Sequence, residues 1–106
     1  MNRADLALLG LAQRAGALVV GTAAVREALR SGRVQLVVVA VERSKRTDEK
    51  VVRLAHGRGV RVVVGPTATE LGRQLGRETV QAVGVTHPQL ARGIAIEGTP
   101  IRDRRK

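Results

Sequence analysis

The sequence predicts an α/β protein, a three-layer α/β/α sandwich with a four-stranded mixed sheet. Short aliphatic runs alternate with segments in which apolar residues recur at helical spacing. The links from helix to strand are only a few residues long, which favours a parallel or mixed sheet covered by helices. A chain of 106 residues is the size of one domain. We assign residues 1–96 to this domain and residues 97–106 to a basic, flexible tail.

The first two helices and the strand between them are predicted from capping residues and glycines. Asn2 can cap a first helix, which Gly16 ends. A short strand is expected at residues 18–20. Thr22 then caps a second helix, which turns its apolar residues inward and ends at Gly32.

The middle of the chain is predicted to form a buried strand, a helix and a further strand. Residues 36–41 are apolar at every position, which is typical of a strand covered on both faces. Ser44 or Thr47 can start the third helix, and the glycines within residues 57–59 end it. Residues 60–64 give the next strand.

The last predicted elements are a helix, a strand and a final helix. Thr67 and Glu70 form a capping box that opens a short helix. Residues 80–85 form the last strand. Thr86 or His87 then caps a helix that has proline in its first turn.

The charge of the chain points to a polyanionic partner. Nineteen basic and nine acidic residues give a net charge of +10 and a pI near 11.8. Most of the basic residues are arginine, which binds phosphate and guanine through two donors, although a GC-rich coding sequence would give the same bias. Because Phe, Tyr and Trp are absent, the sequence excludes RNA-binding modules that stack bases on aromatic side chains.

Several other functional classes have no support in the sequence. Without cysteine there is no thiol nucleophile, disulfide or thiolate metal site. His56 and His87 have no neighbours at metal-ligand spacing, and no nucleophile elbow or phosphate loop is present. We therefore expect no enzyme activity, no cofactor and no metal. The uncharged stretches, such as residues 15–25, are too short to span a bilayer, so we expect a cytoplasmic protein without a membrane partner.

An ordered set of motifs links the chain to a known family. They are Leu8-Leu-Gly-Leu-Ala-Gln-Arg-Ala-Gly16, Gly21-Thr22, Ala28-Leu29-Arg30-Ser31-Gly32, Leu36-Val-Val-Val-Ala40, Leu71-Gly72 and Val83-Gly84-Val85-Thr86. In this order they resemble the kink-turn-binding ribosomal proteins of the L7Ae family, and most of all its small bacterial, YlxQ-like branch. The resemblance implies an α/β/α sandwich that binds RNA at kinked helices without catalysis.

The resemblance also implies where RNA would bind. Family members that bind kink-turns carry Gly-x-Asn-Glu-x-x-Lys at the start of the second helix, and here Ala23, Ala24 and Glu27 stand at the Asn, Glu and Lys positions. Alanine offers no hydrogen bond to a base edge, so the glycine turn, the helix start and arginines must supply the contacts. The expected RNA-binding residues, which include a second loop after the fourth helix, are Gly21, Thr22, Ala23, Arg26, Arg30, Arg33, Arg43, Arg77, Thr79 and Val80.

Three functional hypotheses follow. The first is a non-enzymatic RNA-binding protein, ribosomal or ribosome-associated, that grips a kinked or folded RNA helix as a monomer and has RNA, the ribosome or translation factors as partners. The second is a protein-interaction module that has lost specific RNA recognition and docks on a translation or RNA-processing partner. The third is the substrate-binding appendage of an RNA methyltransferase whose catalytic domain is a separate subunit.

Overall fold

The computed structural model describes residues 3–97, 99 and 100, and they form a five-stranded mixed sheet between two helical layers. The strand order is β1-β4-β2-β3-β5. Only β2 and β3 are parallel, and every other neighbouring pair is antiparallel. The strands are β1 Leu18–Val20, β2 Leu36–Val39, β3 Arg61–Val64, β4 Ala82–Val85 and β5 Thr99–Pro100.

The helices alternate with the strands along the chain. A π-helical turn, Asp48–Val52, joins α3 to α4, so that residues 45–57 form one continuous helical segment. The helices are α1 Arg3–Arg14, α2 Thr22–Arg30, α3 Lys45–Thr47, α4 Arg53–Gly57, α5 Ala68–Gln74 and α6 Pro88–Glu97.

The hydrophobic core has two halves, one on each face of the sheet. Leu9 of α1, Leu71 of α5 and Ile94 of α6 pack on one face. Val25 of α2 and Val51 of the π-helical turn pack on the other. Strand β2 contributes alternate residues to the two halves, because successive side chains of a strand point to opposite faces. This double burial explains why β2 is apolar at every position, and it confirms the α/β/α sandwich.

The local signals predicted most element ends correctly. Strand β1 covers residues 18–20, and α1 and α2 end just before Gly16 and Gly32, which both have a positive φ. Ser44, rather than Thr47, is the N-cap of α3, and its hydroxyl accepts a hydrogen bond from the Thr47 amide. Both halves of the capping box at the start of α5 are present. These features depend on contacts within a few residues, which a sequence pattern records directly.

Four expectations need correction or fall outside the described residues. The N-cap of α2 is Gly21, and Thr22 is its first helical residue. Strands β2, β3 and β4 are shorter than predicted by one or two residues, because the backbone turns into the loops at those positions although the apolar pattern continues. Residues 99 and 100, which we expected in the tail, pair with β3 as an edge strand. Asn2 and residues 101–106 lie outside the described part of the chain.

Candidate nucleic-acid interface

Four loops meet at one end of the sheet. Strands β1 and β2 run antiparallel to β4, and β3 runs parallel to β2, so the carboxyl ends of β1, β2 and β3 lie beside the start of β4. Backbone hydrogen bonds join these loops; they include Gly21 N to Ala82 O at 2.9 Å, Ala40 N to Gln81 O at 2.9 Å, and Val41 N to Pro66 O at 2.9 Å. We call this surface, formed by residues 20–26, 40–48, 64–70 and 76–82, the Gly21 end.

The turn into α2 has a backbone conformation that requires glycine. Gly21 has φ 101° and ψ 151°, a region that side chains with a Cβ rarely occupy. Its carbonyl accepts the first helical hydrogen bond, from the Val25 amide at 2.9 Å, and no side chain caps the helix. Ala23 and Ala24 are exposed, and the first turn carries no acidic residue. The backbone amides of this turn therefore suit a phosphate or another acceptor.

A hydrogen-bond network around the buried Thr47 hydroxyl supports this turn. Thr47 is only 2% exposed, and its Oγ1 lies 3.1 Å from Thr22 Oγ1, 3.2 Å from Ser44 Oγ and 2.9 Å from Gln81 Oε1. Because Gln81 Oε1 can only accept, the Thr47 hydroxyl donates to it, and the Thr22 and Ser44 hydroxyls donate to Thr47. Ser44 N also donates to Gln81 Oε1 at 2.8 Å. One buried threonine thus ties together three of the four loops.

This network explains why Thr22 is not a helix cap. Its hydroxyl is held by Thr47, which lies 25 residues further along the chain. Sequence analysis missed the roles of Thr47 and Gln81 in this surface, because 34 residues separate them and no spacing rule connects them. The sequence signal for Thr47 is a polar residue on an otherwise apolar helix face, which the local pattern explains equally well as a cap.

Thr47→Val is expected to lower the free energy of unfolding by about 1–2 kcal/mol, because it keeps the side-chain volume and removes three hydroxyl contacts. Urea unfolding measures this change. Thr69→Val, at an exposed position in the first turn of α5, is the matched control and should change stability little. Equal effects of the two substitutions would contradict the network.

The second predicted RNA-facing loop packs tightly against α5. The Arg77 amide donates to Gly72 O at 2.7 Å, and the Val80 amide donates to Ala68 O at 2.9 Å. Arg77 and Thr79 are exposed, so their side chains are available to a partner. Val80 is only 4% exposed and belongs to the hydrophobic core. Contrary to the prediction, its side chain is therefore not available to RNA.

Comparison with known proteins assigns the chain to a family. A sequence model of the ribosomal protein L7Ae/L30e/S12e/Gadd45 family matches residues 6–93. The chain belongs to this family. A solved structure of a protein with unknown function from Bacillus halodurans is 29% identical, with a TM-score of 0.83, and the match covers 90% of this chain and 96% of that chain. No curated protein matches the chain. Proteins of the L7Ae family bind RNA and are often ribosomal; the YlxQ-like branch stays a prediction.

The arginines that were predicted to bind RNA do not all lie together. Arg26 is half-buried one turn into α2, and Arg30 is exposed in its last turn. Arg33 lies beyond the helix, at the opposite end of the sheet from Gly21, because α2 runs back along the sheet to the start of β2. Arg43 is held inside the Gly21 end: its Nε lies 2.5 Å from Asp48 Oδ1, and its Nη1 donates to Ala40 O at 3.1 Å.

The structure of this L7Ae-family chain also bears on metal binding and on membrane crossing. Within the described residues, no group of three or more His, Cys, Asp and Glu side chains could hold a metal ion. Over the same part of the chain, none of the helices combines the length and the apolar character that crossing a membrane requires.

Proposed function

We propose that this protein is a non-enzymatic RNA-binding protein, ribosomal or ribosome-associated, that binds a kinked or folded RNA helix at the Gly21 end. The observation that carries this proposal is the glycine-only conformation at Gly21, in a chain of an RNA-binding family. The Gly21 amide is hydrogen-bonded to Ala82 O, and the loop before Ala82 carries the exposed Arg77 and Thr79. We further propose that the protein acts in the cytoplasm as a monomer.

The chemistry of the Gly21 end favours recognition of shape over recognition of bases. Ala23 and Ala24 are exposed but cannot hydrogen-bond to a base edge, and the nearby Glu27 repels phosphate. Backbone amides and the Arg26 and Arg77 guanidiniums can bind phosphates, which position a protein on RNA without specifying sequence. A kinked RNA would then be selected because its backbone follows the contour of the loops.

The deciding experiment compares a kink-turn RNA with a plain duplex of equal length, each titrated over a salt series. We expect the kink-turn RNA to bind more tightly at every salt concentration. Equal affinities with equally steep salt dependence would mean that binding is only electrostatic. Absence of binding to both RNAs would contradict the proposed function.

Arg26→Ala combined with Arg30→Ala is expected to weaken RNA binding. The fall of log K with log salt should also become less steep by about two, one for each lost phosphate contact. The two arginines are four residues apart and therefore share one face of α2. Arg53→Ala with Arg73→Ala removes the same charge from exposed positions on other helices and is the control. If the two double variants bind alike, α2 is not part of the site.

A second candidate function is docking on a protein of the translation or RNA-processing machinery. The observation that favours it is Val41, which is 57% exposed at the Gly21 end, the same end at which α2 exposes two alanines. A protein that stays bound to wild type after RNase treatment, and is lost with Val41→Asp, would support docking. Loss of all captured protein on RNase treatment would reject it.

A further inference from the structure

The end of the sheet opposite Gly21 carries basic side chains without acidic ones. Three chain segments form its surface: residues 31–36 before β2, residues 57–61 before β3, and residues 85–92 after β4. We call this surface the arginine end. Its segments contain no aspartate or glutamate, and their arginines are Arg33, Arg58, Arg61 and Arg92.

Sheet pairing brings these segments together. Leu36 at the start of β2 is in register with Arg61 of β3 and with Val85 of β4. The Gln35 amide donates to Val85 O at 2.7 Å, which places the start of α6 beside the start of β2. A shallow groove runs across the junction and is lined by Gln35, Leu36, Arg61, Pro88, Ala91 and Arg92. Two arginines from different elements therefore face the same groove.

The arginines of this end are exposed and largely unpaired. Arg33 Nε donates to Ser31 Oγ at 3.0 Å. Within the described residues, no hydrogen bond or ion pair engages the guanidinium of Arg58, Arg61 or Arg92. The Gly21 end differs, since its four segments contain five basic and four acidic residues. The arginine end therefore carries a larger excess of positive charge than the Gly21 end.

We propose that the arginine end is a second RNA-binding surface, which contacts RNA phosphates through Arg61 and Arg92 in the groove and through Arg33 and Arg58 beside it. This inference rests on the proposed RNA-binding function. Clustered cations repel one another unless an anion lies between them, and arginine matches phosphate geometry with paired donors. Because the contacts are to phosphate, this surface should not distinguish RNA sequences.

The composition of the surface favours RNA over an acidic protein. Protein interfaces have a core of apolar or aromatic residues, whereas nucleic-acid interfaces are polar and positively charged. The large apolar side chains that are exposed in the described part of the chain are Leu11 and Val41, and neither belongs to the arginine end. A strand of four residues separates the two ends by about 13 Å, so one folded RNA could contact both.

The test uses the full chain with Arg61→Ala and Arg92→Ala together. Both side chains are exposed, so thermal unfolding should match wild type. For a plain RNA duplex we expect affinity to fall at least tenfold at about 0.1 M salt. The decrease of log K with log salt should become less steep by about two, because two phosphate contacts are lost. The control is Arg53→Ala with Arg73→Ala, which should change the slope much less.

The outcomes separate this inference from the proposed function. If the Arg61 and Arg92 variant binds the duplex like the control, the arginine end is not an RNA surface, whereas a preference of wild type for kink-turn RNA would still support the Gly21 end. If only the Arg61 and Arg92 variant loses affinity for the duplex, and wild type shows no preference for kink-turn RNA, the results would support the arginine end alone. If wild type binds no RNA, both proposals fail. If that variant loses poly-L-glutamate binding but keeps RNA binding, the surface recognises acidic protein instead.

Discussion

Gly72→Ala is expected to lower the free energy of unfolding by about 2–3 kcal/mol, although alanine is the better helix former. A Cβ at this position in α5 would lie 2.6 Å from Glu78 O and 2.8 Å from Thr79 N. These are backbone atoms and cannot move away by changing a rotamer, so either α5 or the loop must shift. Urea unfolding measures the loss of stability.

The same substitution should also weaken kink-turn binding, because the displaced loop carries Arg77 and Thr79. Gly93→Ala is the matched control: a Cβ there would meet only Leu8 Cδ1 at 3.6 Å, an ordinary contact. Inside α6 it should raise stability by about 0.5–1 kcal/mol. If Gly72→Ala were as stable as Gly93→Ala, the close approach of α5 to its following loop would be wrong.

Gly21→Ala is expected to cost about 1–3 kcal/mol of stability, since φ 101° with ψ 151° is strained for any residue with a Cβ. No atom crowds the position, so the cost comes from the backbone alone. Relieving the strain would rotate the turn and disturb the Gly21 N to Ala82 O hydrogen bond and the Thr22 contact with Thr47. We therefore also expect weaker binding to kink-turn RNA, measured by titration.

Gly16→Ala is the control that separates the effect of backbone strain on stability from the effect of the Gly21 turn on RNA binding. Gly16 also has a positive φ, 73°, and open space around it, but it lies at the end of α1 and outside the Gly21 end. Its substitution should cost about 1–2 kcal/mol and leave the preference for kink-turn RNA unchanged. An equal loss of kink-turn preference in both variants would show that the loss follows stability and not the geometry at Gly21.

The candidate site was predictable only in part. The turn at Gly21 and the loop with Arg77 and Thr79 could be assigned from a resemblance that depends on the order of motifs. The hydroxyl network could not, because Thr47 and Gln81 meet only when α3 packs beside the start of β4. For the same reason the resemblance suggests that Val80 contacts RNA, although its side chain lies in the core.

The sequence by itself determined the elements and the layers of this protein. The aliphatic runs specify strands, and the capping box and helix-ending glycines act over a few residues, so local chemistry is sufficient. Only the tertiary structure decided which distant residues share a surface. Sheet pairing separates Arg33 from Gly21 and brings Arg61 to the groove that Arg92 lines. These relations depend on strand order and direction, which local sequence patterns do not specify.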